Sequence, residues 1–391
     1  MMPALSAEEE AHSGAIGALI RERIAEAGGW IPFERFMDLA LYAPGLGYYS
    51  AGSVKLGNGG DFVTAPEVSD LFSRCVARQC AQVLAGGGEI LEVGAGTGRM
   101  AAVILESLAA LDALPARYAI LEVSADLAER QRQRLGKLPP EIRQRVVWLE
   151  RLPERPINGV ILANEVLDAL PCRRFALRAG AVRELGVAAE DVPASKRGAG
   201  LVERQAAADD ELAGATAALL SELPSPLPDG YTSEICLRVA PWMAGIAACL
   251  GRGLILMFDY GLPRAHYYHP QRTAGTLRCH FKQRVHDDPY INIGVQDITA
   301  WVDFTRLAEA AVACGLDVSG FCTQAAFLLA TDIEQLVAAA TDTVEHVRLA
   351  GEARRLLLPG EMGEAFKAMA LTRECDIALQ GFMLQDLRHS L

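Results

Sequence analysis

The apolar positions of this chain follow two different periods. Over residues 8–28, Ile16, Leu19, Ile20 and Ile24 recur at helical spacing and Gly28-Gly29 ends the run, which predicts an amphipathic helix. A second helix is predicted over 31–42, with Pro32 in its first turn, and residues 44–49 read as a turn. Gly57, Gly59 and Gly60 cannot build an element interior, so 57–64 read as a loop. Pro66-Glu67 then opens a helix carrying Leu71, Phe72, Val76 and Val83. From residue 89 the pattern changes to short, nearly unbroken apolar runs, at 90–93, 118–123, 146–149, 159–163 and 253–258. Helical stretches at 100–111 and 124–135 separate the first three. Runs of this kind predict a parallel sheet covered on both faces, an α/β fold with helices on either side.

The pattern degrades from 178 to 231, where alanine, acidic residues and Pro224, Pro226 and Pro228 suggest an inserted lobe. Residues 232–250 read as helix despite Pro241, and 263–298 is polar and too long for an idle connection. A helix over 307–314 closed by Gly315, a strand over 316–324 and helical stretches from 325 complete the chain. The resulting division is an N-terminal helical region with a glycine-rich lid loop (1–85), the first half of the core (86–177), the inserted lobe (178–231) and the second half of the core (232–391) with its polar insertion (262–300).

The 391 residues are too many for one simple core, which fits a core with insertions. A formal net charge of −12 argues against broad nucleic-acid binding. The start lacks the signature of a signal or transit peptide, and no run reaches the ~18 apolar residues of a membrane helix. The nine cysteines form no C-x-x-C and the seven histidines no H-E-x-x-H. His266 and His269 have no third ligand beside them. A cytoplasmic chain with free thiols, no metal and no membrane insertion is expected.

The sharpest chemical signal is Glu89–Met100, a strand, three alternate glycines (Gly94, Gly96, Gly98) and a helix start. Such a turn converges backbone N–H groups and a helix N-terminus on one point. The spacing is G-x-G-x-G, not the G-x-G-x-x-G of nicotinamide and flavin enzymes. Glu92, two residues before the first glycine, suits a ligand with a cationic end, as in S-adenosylmethionine. Glu122 ends the second predicted strand, near the spacing of an acid that hydrogen-bonds a ribose. Asn164, Glu165 and Asp168 follow the fourth strand, at the carboxyl edge where open α/β sheets bind ligands. Asp61, Thr64 and Glu67 sit on the glycine-rich loop and helix start ahead of the core. Each of these polar groups also has a plain reading as a helix cap or turn former.

Seven segments stand in an order that resembles the MidA family of class I S-adenosylmethionine-dependent methyltransferases. They are Gly60 to Ser69, Glu92 to Gly98, Leu121 to Ser124, Asn164 to Pro171, Asp259-Tyr260-Gly261, Gly275 to Arg278 and Asp297 to Phe304. Residues 357–366 match the family's ending, so the resemblance covers residues 30–370. It implies a Rossmann-like seven-strand sheet with an added N-terminal helical part and an inserted lobe. The mitochondrial members are the complex I assembly arginine methyltransferases, which implies protein arginine N-methylation on a protein partner, a respiratory-complex subunit being one candidate. Asn164-Glu165-Val166-Leu167 departs from the His-Glu-Phe-Phe of those members. A guanidinium acceptor is always protonated in water, so its site needs carboxylates that hold it and accept a proton. Glu165 and Asp168 are the expected catalytic pair, with Asp61 and Glu67 as outside candidates. Thr64, Glu67, Glu92, Gly94, Gly96, Gly98, Glu122 and Asn164 are the expected cofactor residues. Two other readings stay open at this point: a dinucleotide-dependent oxidoreductase and a non-catalytic assembly factor retaining a cofactor fold. A homodimer is also left open.

Overall fold

The computed structural model describes residues 3–51, 64–190 and 200–391. Its centre is a seven-strand sheet built from β1 (Glu89–Val93), β2 (Arg117–Leu121), β3 (Val146–Leu149), β4 (Ile157–Asn164), β5 (Leu250–Leu262), β6 (Asp317–Thr323) and β7 (Phe366–Arg373). The spatial order is β6-β7-β5-β4-β1-β2-β3. All neighbours are parallel except β7, which runs antiparallel to β5 and β6. A short strand, Val302–Asp303, adds to the far end of β5.

The strands read as unbroken apolar runs because both faces are covered. Val160 and Leu162 of β4 enter one core with the helices Asp70–Leu84 and Arg99–Ala110. Ile161 and Ala163 enter the opposite core with the helices Val239–Ala248 and Phe304–Ala313. The sheet therefore delivers the ends of β1, β2 and β4 side by side at its carboxyl edge, with β1 in the middle. Ligands of open α/β sheets bind along that edge.

Several local expectations are corrected. Ile31-Pro32 do not belong to the second helix, which runs Phe33–Tyr42. They form a strand paired with Val187 and Gly186. The helix expected from Pro66 breaks at Ser69 (φ −158°, ψ 145°), leaving Ala65–Val68 as one turn before Asp70–Leu84. The Ser69 hydroxyl caps the second piece by accepting from the Leu71 amide. Thr232–Ile235 is a strand, not the start of the helix. It belongs to an antiparallel sheet with Arg173–Arg178, Ala181–Ala189, Leu201–Ala207 and Ile31–Pro32. That sheet draws strands from both sides of residues 178 and 231. The polar 263–298 segment holds a one-turn helix, Arg264–Tyr267, and the strands Arg278–Phe281, Arg284–His286 and Asp297–Thr299. The last stretch, expected to be helical from 325, contributes β7.

The helix Ala7–Glu26, capped by a reciprocal Ser6–Glu9 box, packs with Phe33–Tyr42 against the polar segment. Ile16, Ile20, Phe33 and Phe36 meet Leu277, Cys279 and Ile298 there. This packing brings Tyr42 and Tyr49 to the carboxyl edge of the central sheet.

Candidate active site

A cavity of about 330 Å³ opens at the carboxyl edge. Thr64, Glu67, Glu92, Gly94, Gly96, Glu122, Asn164 and Glu165 all line it. Eight of the ten expected site residues, separated by up to a hundred positions, thus converge on one space. Gly98 and Asp168 do not reach the lining. The outside candidate Asp61 and the loop 57–63 lie outside the described residues.

Gly94, Gly96 and Gly98 have φ of 69°, 53° and 77°, the left-handed region that L side chains avoid. Gly98 is the cap of Arg99–Ala110, and a β-carbon there would meet Gln131 at 3.2–3.4 Å. Its part is to let the chain turn tightly behind the cavity wall. Gln131, unnoticed in the sequence, ties the wall together. Its Nε2 donates to the Gly96 carbonyl and to Glu122 Oε2, each at 2.9 Å, and its Oε1 accepts from Trp148 Nε1 at 3.1 Å. No sequence signal marked it: its place one helical turn after Leu127 tells only once the structure shows Leu127 lining the cavity.

Glu92 is almost fully buried and accepts from the Tyr118 hydroxyl at 2.7 Å through one oxygen. Its other oxygen, Oε1, has no partner among the described residues. Burial raises its pKa to about 7, against the opposing Tyr118 hydrogen bond, with the Glu122 charge adding to the rise. Burial also raises Glu122, whose Oε1 accepts from the Ser124 amide at 2.9 Å. A cavity wall with an unpartnered buried carboxylate oxygen is chemically matched to a cationic group, so the donor set fits an aminoacyl sulfonium ligand.

The one-turn helix Ala65–Val68 is latched to the glycine turn. The Thr97 hydroxyl donates to the Glu67 carboxylate, and Arg99 donates to the Glu67 carbonyl at 2.8 Å and to Asp70 at 2.9 Å. Thr64 holds the cap position without a side-chain hydrogen bond to the helix.

Glu165 has φ 52°, a left-handed conformation rare for a residue with a β-carbon. Its carboxylate accepts from Asn164 Nδ2 at 3.2 Å and from the Ala65 amide. Burial, then the Asp168 charge, raises its pKa to about 8. Asp168 lies behind it, 5% exposed, accepting from the Tyr260 hydroxyl at 2.5 Å. Burial raises Asp168 to about 6 against that bond. Asp259 holds the backbone of the loop, taking the Leu167 and Asp168 amides at 2.9 and 3.3 Å.

The sequence profile of the Methyltransf_28 family of S-adenosyl-L-methionine-dependent methyltransferases matches residues 75–322. The chain belongs to this family. The match spans every lining residue from the glycine turn to Trp242, and family membership makes the protein a methyltransferase with S-adenosyl-L-methionine as its cofactor. Among solved structures, this Methyltransf_28 protein is similar to a COG1565 superfamily member from Burkholderia thailandensis bound to S-adenosyl-homocysteine. They share 41% identity over 100% of both chains, with a TM-score of 0.93. Among curated proteins it is similar to the mitochondrial protein arginine methyltransferase NDUFAF7 homolog of Drosophila melanogaster, at 29% identity over 94% of this chain and 87% of that one. It is also similar to NDUFAF7 of Mus musculus, at 27% identity over 94% and 87%. Among the described residues no helix is long and apolar enough to cross a membrane, and no group of three or more His, Cys, Asp or Glu could hold a metal ion.

Proposed function

We propose that this methyltransferase is a protein arginine N-methyltransferase acting on a partner protein. The observation that carries the reading is Glu165, a strained, largely buried carboxylate on the cavity wall with a pKa of about 8. The names of the curated relatives point the same way.

When bound, the cofactor supplies an electrophilic methyl group on a cationic sulfur. The chain's own residues hold and align the reactants. Glu92, through its free oxygen, would hold the cofactor's ammonium, and Glu122 its ribose hydroxyls. Backbone groups of Gly94 and Gly96 would border the cofactor, with Thr64, Glu67 and Asn164 in support. Gly98 acts through the shape of the turn. Glu165 would hold one edge of the acceptor guanidinium and accept the proton that leaves as the new N–C bond forms. Asp168 positions Glu165 electrostatically from behind rather than touching the acceptor.

The test is transfer of labelled methyl from S-adenosylmethionine into the proteome of a strain lacking this protein, with the labelled protein identified by mass spectrometry. The expected product is methylarginine in a discrete protein band. Label in a small molecule, or on lysine or a carboxylate, would overturn the reading. Cofactor binding without incorporation would favour a non-catalytic assembly factor.

A further inference from the structure

Three aromatic residues line the same cavity as Glu165: Tyr42, Tyr49 and Trp242. Tyr42 ends the helix Phe33–Tyr42, Tyr49 closes the turn after it, and Trp242 comes from Val239–Ala248. The two tyrosine rings stack, centroids 5.6 Å apart and 22° between planes. Both hydroxyls are turned into protein. Tyr42 donates to the Ala169 carbonyl at 2.9 Å, and Tyr49 donates to the Asp297 carboxylate at 2.9–3.0 Å. With the hydroxyls engaged, the surface these residues offer the cavity is ring carbon. Burial and the charges of Asp297 and Asp168 hold both phenols well above their usual pKa, so the rings stay neutral.

The bond from Tyr42 to Ala169 fixes the stacked tyrosine pair beside the loop that follows β4. The sheet order puts that loop on one flank of the glycine turn and Glu122 on the other. The acceptor end of the cavity therefore combines electron-rich ring faces with carboxylates at and behind the wall. Ring faces attract cations, most strongly where water is excluded, and planar guanidinium also stacks on them.

We infer that Tyr42, Tyr49 and Trp242 wall the acceptor end of the cavity and select a flat cationic side chain over its neutral isostere. The inference rests on the arginine reading above and assigns that selection to residues outside the cofactor-binding turn. Once ionised, Glu165 alone would attract any cation. The aromatic walls add shape, favouring a planar group over a tetrahedral ammonium.

The experiment measures binding to the protein saturated with S-adenosyl-homocysteine, by calorimetry and saturation-transfer NMR. The probes are N-acetyl-arginine methylamide, its lysine counterpart and its neutral citrulline counterpart. The wild type should bind the arginine amide about tenfold more tightly than the citrulline amide and also more tightly than the lysine amide. Tyr42→Leu and Tyr49→Leu should reduce those preferences to about threefold or less while S-adenosyl-homocysteine affinity stays within about twofold. Tyr42→Phe and Tyr49→Phe, which keep the rings, should retain the preferences. Should a leucine variant lose S-adenosyl-homocysteine binding, Trp242→Leu carries the same expectation from the other wall. Leucine variants that discriminate like the wild type overturn the aromatic assignment and leave the arginine reading standing. A wild type that treats arginine and citrulline amides alike overturns the arginine reading, and this inference with it.

Discussion

The most informative single residue is Glu165, whose backbone strain and raised pKa occur together. A carboxyl group with a pKa of about 8 is largely protonated at neutral pH and cannot accept a proton. Single-turnover methyl transfer should therefore rise with pH and level off above about 8. Glu165→Gln should flatten that rise and lower the plateau rate by about 10²–10⁴-fold. Stability should move the other way. The unfolded chain releases this proton near the ordinary value of 4.5, the folded chain only near 8, so folded stability falls as pH climbs between the two. The glutamine variant should then melt about 2–4 °C higher than wild type at pH 8 while being slower, and an unchanged melting temperature would argue against the buried charge. At this scale much of the site was legible in the sequence. Glu92, Glu122, Asn164 and Glu165 adjoin or end apolar runs, so local pattern sufficed to aim them at one edge. Gln131, Tyr42 and Trp242 were not legible, because each sits inside or at the end of a helix whose partner surface is set by tertiary packing, and Tyr49 lies in a turn placed by the same packing. Asp168 was read as facing the site, but a residue four past a strand end can turn inward, and here Tyr260 draws it behind the wall.

At the scale of elements, the glycine turn and the Ala65–Val68 helix work as one unit. Gly98→Ala would place a β-carbon in left-handed backbone and against Gln131. The backbone alone costs about 1–2 kcal/mol. Displacing Gln131 also loosens its bonds to Gly96 and Glu122, so the denaturation midpoint and the S-adenosyl-homocysteine affinity should fall together. Arg99→Ala should separate the two effects. Arg99 is part-exposed, and its bonds to Glu67 and Asp70 hold the short helix over the cavity rather than the core. Calorimetry should find S-adenosyl-homocysteine affinity reduced about tenfold with stability lowered by no more than about 1 kcal/mol. The parallel elements β1 to β5 were readable as apolar runs. The seventh strand was not. In Phe366–Arg373 the apolar run is broken by Lys367 and contains two alanines, a composition as compatible with helix, and only pairing on both edges makes it a strand. The break at Ser69 was equally hidden, since the apolar spacing of 65–84 continues through it.

For the whole molecule, the doubly covered sheet was legible because periodicity reports burial on two faces, whereas the antiparallel sheet around 173–235 is assembled from strands whose partners are distant. Ile31-Pro32 pairing with 186–187 is the clearest case, a two-residue strand with no local signal. The N-terminal helices matter to function because Tyr42, at the end of the second, and Tyr49, in the turn after it, line the cavity. Arg238 makes the connection, donating to Glu34 at 2.6 Å and to Asp38 at 2.7 Å across 200 or more residues of sequence. It immediately precedes the helix that bears Trp242, and its two acids lie on the helix that ends at Tyr42. The pair is part-exposed, so Arg238→Ala should cost no more than about 1 kcal/mol of stability. Its effect belongs instead on the relative placement of the two aromatic walls. The KM for the proposed protein acceptor should rise about tenfold while S-adenosyl-homocysteine affinity, assigned in the proposal to β1, β2 and the glycine turn, stays within about twofold. Steady-state methyl transfer with the acceptor varied, beside calorimetry with S-adenosyl-homocysteine, separates the two quantities. Equal losses in both would mean that the N-terminal helices support the cofactor end as well, and that the cavity is not divided into a cofactor end and an acceptor end.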